Sequence, residues 1–352
     1  MLLLGSALAS AQTNRTKQVF EREDAYLTEK TKHFFRGAVL VGIDGKIAFE
    51  KGYGIANEEW NIPNTPATKF RIGSVTKQFT AACILLLQER GRLRVQDAIS
   101  KYLEGLPPAW QPITIHQLLT HTSGIPDYTN SGEFGKFQTM DASPQQIISL
   151  VTKQPLDFDP GAKWVYSSTN YILLGMIIEK TSGQSYPAFL ASNIFEPLGM
   201  TNSGYDRAFD IVKERATGYE VDDNSRLGHA DDINMSVTYA AGGVYSTVED
   251  LYRWSEALAQ DGILLSAASL KQMFTGYAET PKGRHYGYGV FVAQLFGRLE
   301  YFHTGAINGF TASVQRYPKE RVCIIVLSNM NEFIAWDLGD HIASDLFDQP
   351  LP

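Results

Sequence analysis

Lys69-Phe70-Arg71-Ile72-Gly73-Ser74-Val75-Thr76-Lys77 runs directly into Phe79, Ala82, Cys83, Ile84, Leu85, Leu86 and Leu87, and this junction decides how the chain reads. The apolar residues predict a helix over 78–88 that is hydrophobic across far more than one stripe, which belongs inside a domain rather than on its surface. Gly73 lets backbone approach closely at the helix start. Ser74 then falls where helix N–H groups lack partners, as an anion site or as an ordinary cap. Ser74 and Lys77 lie three residues apart, so they share a helix face with Cβ atoms about 5–6 Å apart. A serine hydroxyl attacks only as it loses its proton, and an amine at this spacing can take it. Ser-x-x-Lys also arises by chance, so its meaning depends on the rest of the chain.

The chain has 352 residues, 44% hydrophobic and 12% aromatic, enough for a large core and two intimately packed lobes. Its net charge is −7 and it holds no basic run, which argues against a nucleic-acid partner. Cys83 and Cys323 lie in apolar runs and read as small hydrophobes. No Gly-x-Ser-x-Gly elbow, phosphate loop or His-Glu-x-x-His occurs, so neither cofactor nor metal is expected. Residues 1–11 resemble the apolar end of a signal peptide closing in Ala9-Ser10-Ala11, without a basic start. They suggest a secreted or periplasmic protein. No other segment has the length of a stable membrane span.

Residues 19–35 read as a helix. Asp44-Gly45 between Gly37-Ala38-Val39-Leu40-Val41-Gly42-Ile43 and Lys46-Ile47-Ala48-Phe49-Glu50 signals a hairpin. Short β-rich segments recur at 288–292, 299–302, 311–314 and 322–327, before a helical pattern over 333–347 that is expected to pack beside the first helix. Between these ends the pattern is helical and irregular, with helix starts at Ser143 and Thr247 and a helix from Tyr171 to Lys180 that stops before Gly183. The expected architecture is α+β. An antiparallel sheet from both chain ends, 18–75 and 280–348, is flanked by helices and receives a mainly helical domain, 76–279, with the site at the interface.

Two further stretches qualify as site elements. Tyr166-Ser167-Ser168 places a phenol in a loop beside a helix start; buried near an amine, it could lose its proton below the free value of about 10 and act as a base. His303-Thr304-Gly305-Ala306 lies between strands, so its backbone should follow a sheet edge with His303 and Thr304 facing the cleft. Gly305 would permit close approach of a ligand, and the Ala306 N–H would offer a second oxyanion donor. Ala240-Ala241-Gly242-Gly243 marks a crowded turn that also suits a cavity wall.

Taken in order, Ser74-x-x-Lys77, Tyr166-Ser167-Ser168 and His303-Thr304-Gly305 resemble the serine penicillin-recognising family of class C β-lactamases, DD-peptidases and related esterases. Leu118-Leu119-Thr120-His121-Thr122-Ser123-Gly124, Pro197-Leu198-Gly199-Met200 and Ala241-Gly242-Gly243-Val244-Tyr245 extend the likeness over about residues 20 to 348. The resemblance implies a serine β-lactamase-like fold and a Ser74 acyl-enzyme on a small ester, peptide or β-lactam substrate. It also implies proton transfer shared by Lys77 and Tyr166, with the order as base open, and an oxyanion hole from the amides of Ser74 and Ala306. Ser168, His303, Thr304 and Gly305 would bind substrate. Two departures bear on specificity. Ser168 stands where the family usually has Asn, and His303 where class C enzymes usually have Lys, which weakens capture of a substrate carboxylate and favours ester or peptide acyl transfer. The competing expectation is a non-catalytic binding relative that keeps the fold. Oligomeric state is not legible.

Overall fold

The computed structural model describes residues 2–33, 35–331 and 334–351, with side chains from residue 15 onward except that of residue 334. An eight-stranded antiparallel sheet forms the frame. Its spatial order is Ala278–Thr280, Arg284–Tyr286, Phe291–Leu295, Arg298–Ile307, Phe310–Tyr317, Val322–Ser328, Gly37–Ile43 and Lys46–Tyr53. The two chain ends meet where Gly37–Ile43 pairs with Val322–Ser328, so the first hairpin closes one side of the sheet. At its tip Asp44 and Gly45 both have positive φ, 53° and 76°, as a two-residue turn of matching twist requires.

Burial explains why the central strands are apolar throughout. Alternate residues point to opposite faces, and both faces are covered. Ala38, Leu40, Cys323, Ile325 and Leu327 join a core that continues into the helices of the middle of the chain. Val39, Val41, Val322, Ile324 and Val326 pack instead beneath the first and last helices, Leu2–Lys30 and Ile334–Phe347. Tyr26 stacks on His341 at 3.8 Å across this helix pair. Residue 333, the expected start of the last helix, lies outside the described residues. Both cysteines are free and buried.

The middle is less purely helical than its pattern suggests. Phe70–Arg71, Val244–Ser246 and Gly204–Tyr205 form a small sheet, and Tyr219–Val221 pairs with Leu227–His229. The expected helices are present: Pro144–Ser149 behind a Ser143/Gln146 capping box, Val248–Ala259 behind Thr247, and Ser168–Ser182 ending on Gly183 at φ +75°. The helix Thr76–Glu89 is buried nearly all round, as its sequence requires, and Gly73–Val75 forms a single 3₁₀ turn ahead of it.

Candidate active site

Ser74 occupies that 3₁₀ turn and Lys77 the first turn of the helix behind it, so one short rigid segment fixes both. Lys77 Nζ lies 3.0 Å from Ser74 Oγ and donates to the Ala241 carbonyl at 2.9 Å. The ammonium position also sits 4.9 Å from the centre of the Tyr166 ring and 5.6 Å from that of Tyr171. Only 1% of Lys77 is exposed, and loss of hydration pushes its pKa from 10.5 down to about 7. The carboxylate of Asp127 opposes that shift weakly. A lysine held there is partly neutral at neutral pH and has a lone pair for the serine proton.

Tyr166 joins the cluster by turning its ring face to Lys77, and the Ser74 side chain is near enough to the phenol to favour loss of its proton. Tyr166 precedes Ser167, the residue before the helix Ser168–Ser182, which starts three residues ahead of the expected Tyr171. A phenolate is compatible with the sequence, but burial works against one here. Desolvation raises the Tyr166 pKa above its usual value, outweighing the help of the Ser74 hydroxyl. Burial thus favours the protonated phenol at Tyr166 and the neutral amine at Lys77.

The strand wall comes from Arg298–Ile307. Its neighbour Phe291–Leu295 stops pairing at Phe302, so the interior strand becomes a local edge from His303 onward. The glycines make the approach to Ser74 possible. A Cβ on Gly305 would lie 2.0 Å from the Ile72 carbonyl oxygen and 3.1 Å from the Ser74 nitrogen, and one on Gly73 would lie 2.9 Å from the Ala306 nitrogen. Gly305 thus admits neighbouring backbone rather than the expected ligand, and brings the Ser74 and Ala306 backbones to one cavity.

That cavity measures about 280 Å³ and is lined by Ser74, Lys77, Tyr128, Ser168, Thr238, Gly242, Ala306 and Asn308 among others. A larger surface recess of about 540 Å³ beside Leu103, Pro107 and Lys180 contains none of these groups. Ser168 and Gly242 line the site as the sequence suggested, whereas Tyr166, His303, Thr304 and Gly305 are not among its lining residues. His303 is 1% exposed, donates from Nδ1 to the Thr304 carbonyl at 2.6 Å and accepts from the Tyr286 hydroxyl at Nε2, 3.0 Å away. Burial first, then the charge of Lys77, pushes its pKa down to about 3. It is a neutral structural link rather than a substrate-facing group. Among the described residues Lys77 is the one cationic side chain lining the cavity.

Several contributors escaped the sequence reading. Asp127 accepts from the Thr129 and Ser168 amides at 3.1 and 3.0 Å, which ties the helix start at Ser168 to the opposite loop. His121, Asn170 and Tyr286 pack behind Tyr166 and His303. The stretches around His121 and Asn170 gave a signal, as parts of the family likeness.

A family model described as Beta-lactamase matches residues 21–343. The chain belongs to the Beta-lactamase family. Within that family it is 32% identical over 297 residues to PbpX of Bacillus subtilis (strain 168), named as a penicillin-binding protein, covering 84% of this chain and 71% of that one. A second penicillin-binding protein of the same strain is 33% identical over 344 residues, 91% of this chain and 74% of the relative. Among solved structures, the octameric penicillin-binding protein homologue from Pyrococcus abyssi superposes with a TM-score of 0.84 at 29% identity, covering 94% of this chain and 78% of that chain. A D-stereospecific amidohydrolase from Streptomyces sp. does so with a TM-score of 0.79 at 27% identity, covering 96% and 99%. The antiparallel α+β frame is thus that of the Beta-lactamase family. Among the described residues no helix is long and apolar enough to cross a membrane.

Proposed function

We propose that this member of the Beta-lactamase family is a serine hydrolase that forms an acyl-enzyme at Ser74 on small ester or amide substrates. The observation that carries the reading is the 3.0 Å approach of a buried, near-neutral Lys77 amine to the Ser74 hydroxyl. In the reaction, Ser74 Oγ attacks the acyl carbon while its proton passes to Lys77 Nζ. The carbonyl oxygen, now negative, lies against the amides of Ser74 and Ala306, a contribution of about 3–4 kcal/mol per donor. As the bond to the leaving group breaks, Tyr166 gives its phenolic proton to the departing atom and is reprotonated by Lys77. Water then repeats the cycle on the acyl-enzyme.

The finer proposal concerns the leaving group. A terminal carboxylate, as on a D-alanyl-D-alanine peptide, would need a cation, and among the described residues the cavity lining has none beyond Lys77, while burial holds His303 neutral and enclosed. Uncharged esters and amides suit the lining better, and the 27% identical neighbour named as an amidohydrolase supports that choice. Ser168, Asn308 and Asn331 offer neutral hydrogen bonds to such a substrate. Export is part of the proposal and rests on the apolar residues 2–11 alone.

Intact mass after incubation with a fluorophosphonate and with a fluorescent penicillin tests the chemistry, with one adduct per chain at Ser74 expected. An unmodified Ser74 after prolonged exposure, or full hydrolytic activity in Ser74→Ala, would instead support a binding relative. Comparing p-nitrophenyl butyrate, a D-amino-acid amide, a D-alanyl-D-alanine peptide and nitrocefin tests the leaving-group proposal, which fails if the peptide is turned over best.

A further inference from the structure

The loop Leu118–Gly124 contributes no residue to the cavity lining, yet one of its residues holds the backbone on both sides of Tyr166. The His121 carbonyl accepts from the Val165 N–H at 3.1 Å, and its Nδ1 accepts from the Ser167 N–H at 3.2 Å. The Asn170 amide also points at Nδ1, 3.2 Å away, in an orientation consistent with its oxygen accepting from Ser123 Oγ at 2.6 Å. Beneath the phenol, the imidazole lies 4.3 Å from the Tyr166 ring centre, with the Tyr286 ring at 4.8 Å and that of Tyr171 at 5.2 Å.

Two features of His121 go against ordinary local preference. Its φ is +57°, in the left-handed region that a side chain with a Cβ seldom occupies. With Nδ1 accepting, the ring proton belongs on Nε2, which is buried and has no hydrogen-bond partner among the described residues. A residue that served only to fill this space would need neither. Such departures concentrate where surrounding structure uses them for function.

We propose that His121 is a positioning residue for Tyr166, which it holds over Lys77 by gripping the preceding and following amides with one carbonyl and one ring nitrogen. The proposal rests on the serine-hydrolase reading, because it concerns the phenol that returns a proton to the leaving group. His121 works as the neutral imidazole throughout; burial, and then the charge of Lys77, keep it well below the usual histidine range. Its role is geometric and calls for no proton of its own.

Three variants test this. His121→Asn keeps an acceptor near the Nδ1 position and suits a positive φ. His121→Gln moves its amide out to the place of Nε2, and His121→Ala removes the acceptor. Single-turnover acylation of Ser74 by a chromogenic ester should stay close to wild type in His121→Asn. It should fall about 10–100-fold in the other two, with substrate binding unchanged, as for a slightly misplaced reacting group. The deciding readout is a double-mutant cycle. If His121 acts through the phenol, His121→Gln should cost almost nothing further in a Tyr166→Phe background. Equal loss in both backgrounds, a loss expressed only in binding, or wild-type rates in folded His121→Gln would overturn the proposal, as would losses that merely follow the melting temperature across all three variants. A wild-type protein that leaves Ser74 unacylated would instead bring down the hydrolase reading and this proposal with it.

Discussion

The helix wall and the strand wall of the cleft each keep a basic side chain out of water, with opposite consequences. On the helix wall, burial takes Lys77 from 10.5 down to about 7, into the range where it exchanges protons at neutral pH. On the strand wall, the same desolvation takes His303 from 6.5 to about 3, out of that range. Both groups are 1% exposed. The starting value decides the outcome: a strong base needs a dry site to become useful, whereas a weak one is silenced by it. In the proposed reaction, proton traffic runs along Ser74, Lys77 and Tyr166, and the strand contributes shape through Gly305 and Ala306.

The contrast breaks first at Lys77. Lys77→Ala should lower Ser74 acylation by about 10²–10⁴-fold, measured by intact mass against time. Lys77→Arg should not rescue it, because a guanidinium stays charged at working pH. Next comes the strand wall's own contribution. Gly305→Ala sets a methyl 2.0 Å from the Ile72 oxygen, so a destabilisation of about 1–3 kcal/mol together with slower acylation is expected from melting and rate measurements. A native melting temperature there would show that the two walls do not depend on close contact. Asp127→Asn sharpens the comparison more gently. Asp127 raises the Lys77 pKa, so its removal should move the acid limb of the rate profile to lower pH, by less than the shift burial imposes. The smallest effect belongs to His303→Asn, which should leave that limb where it is, since the imidazole is already neutral throughout the working range.

Local spacing made much of this legible. Ser74 and Lys77 meet because residues three apart on one turn must, and the Asp44-Gly45 hairpin and the capped helix after Ser143 follow from equally short-range rules. What was hidden depends on partners distant in sequence. His303 looked like a cleft residue until strand register and Tyr286 enclosed it. The motif in Gly305 was read correctly as close approach, but the approaching group is the Ile72–Ser74 backbone. Tyr166 was placed beside the serine, yet its proton affinity depends on a burial that no single segment reveals. The strands Ala278–Thr280 and Arg284–Tyr286 are too short and too close to glycines to announce themselves. His121 carried a family likeness without a role, because its grip on residues 165 and 167 spans more than forty positions.

The pH dependence of single-turnover acylation at Ser74, followed by stopped-flow with a neutral ester in wild type and in His303→Asn, tests the assignment of the base most directly. The rate should rise with pH through a single inflection at about 7 and level off above it, identically in the two proteins. A limb that disappears in His303→Asn, or a rate that climbs only toward the ordinary lysine range near 10.5, would contradict the role given to Lys77.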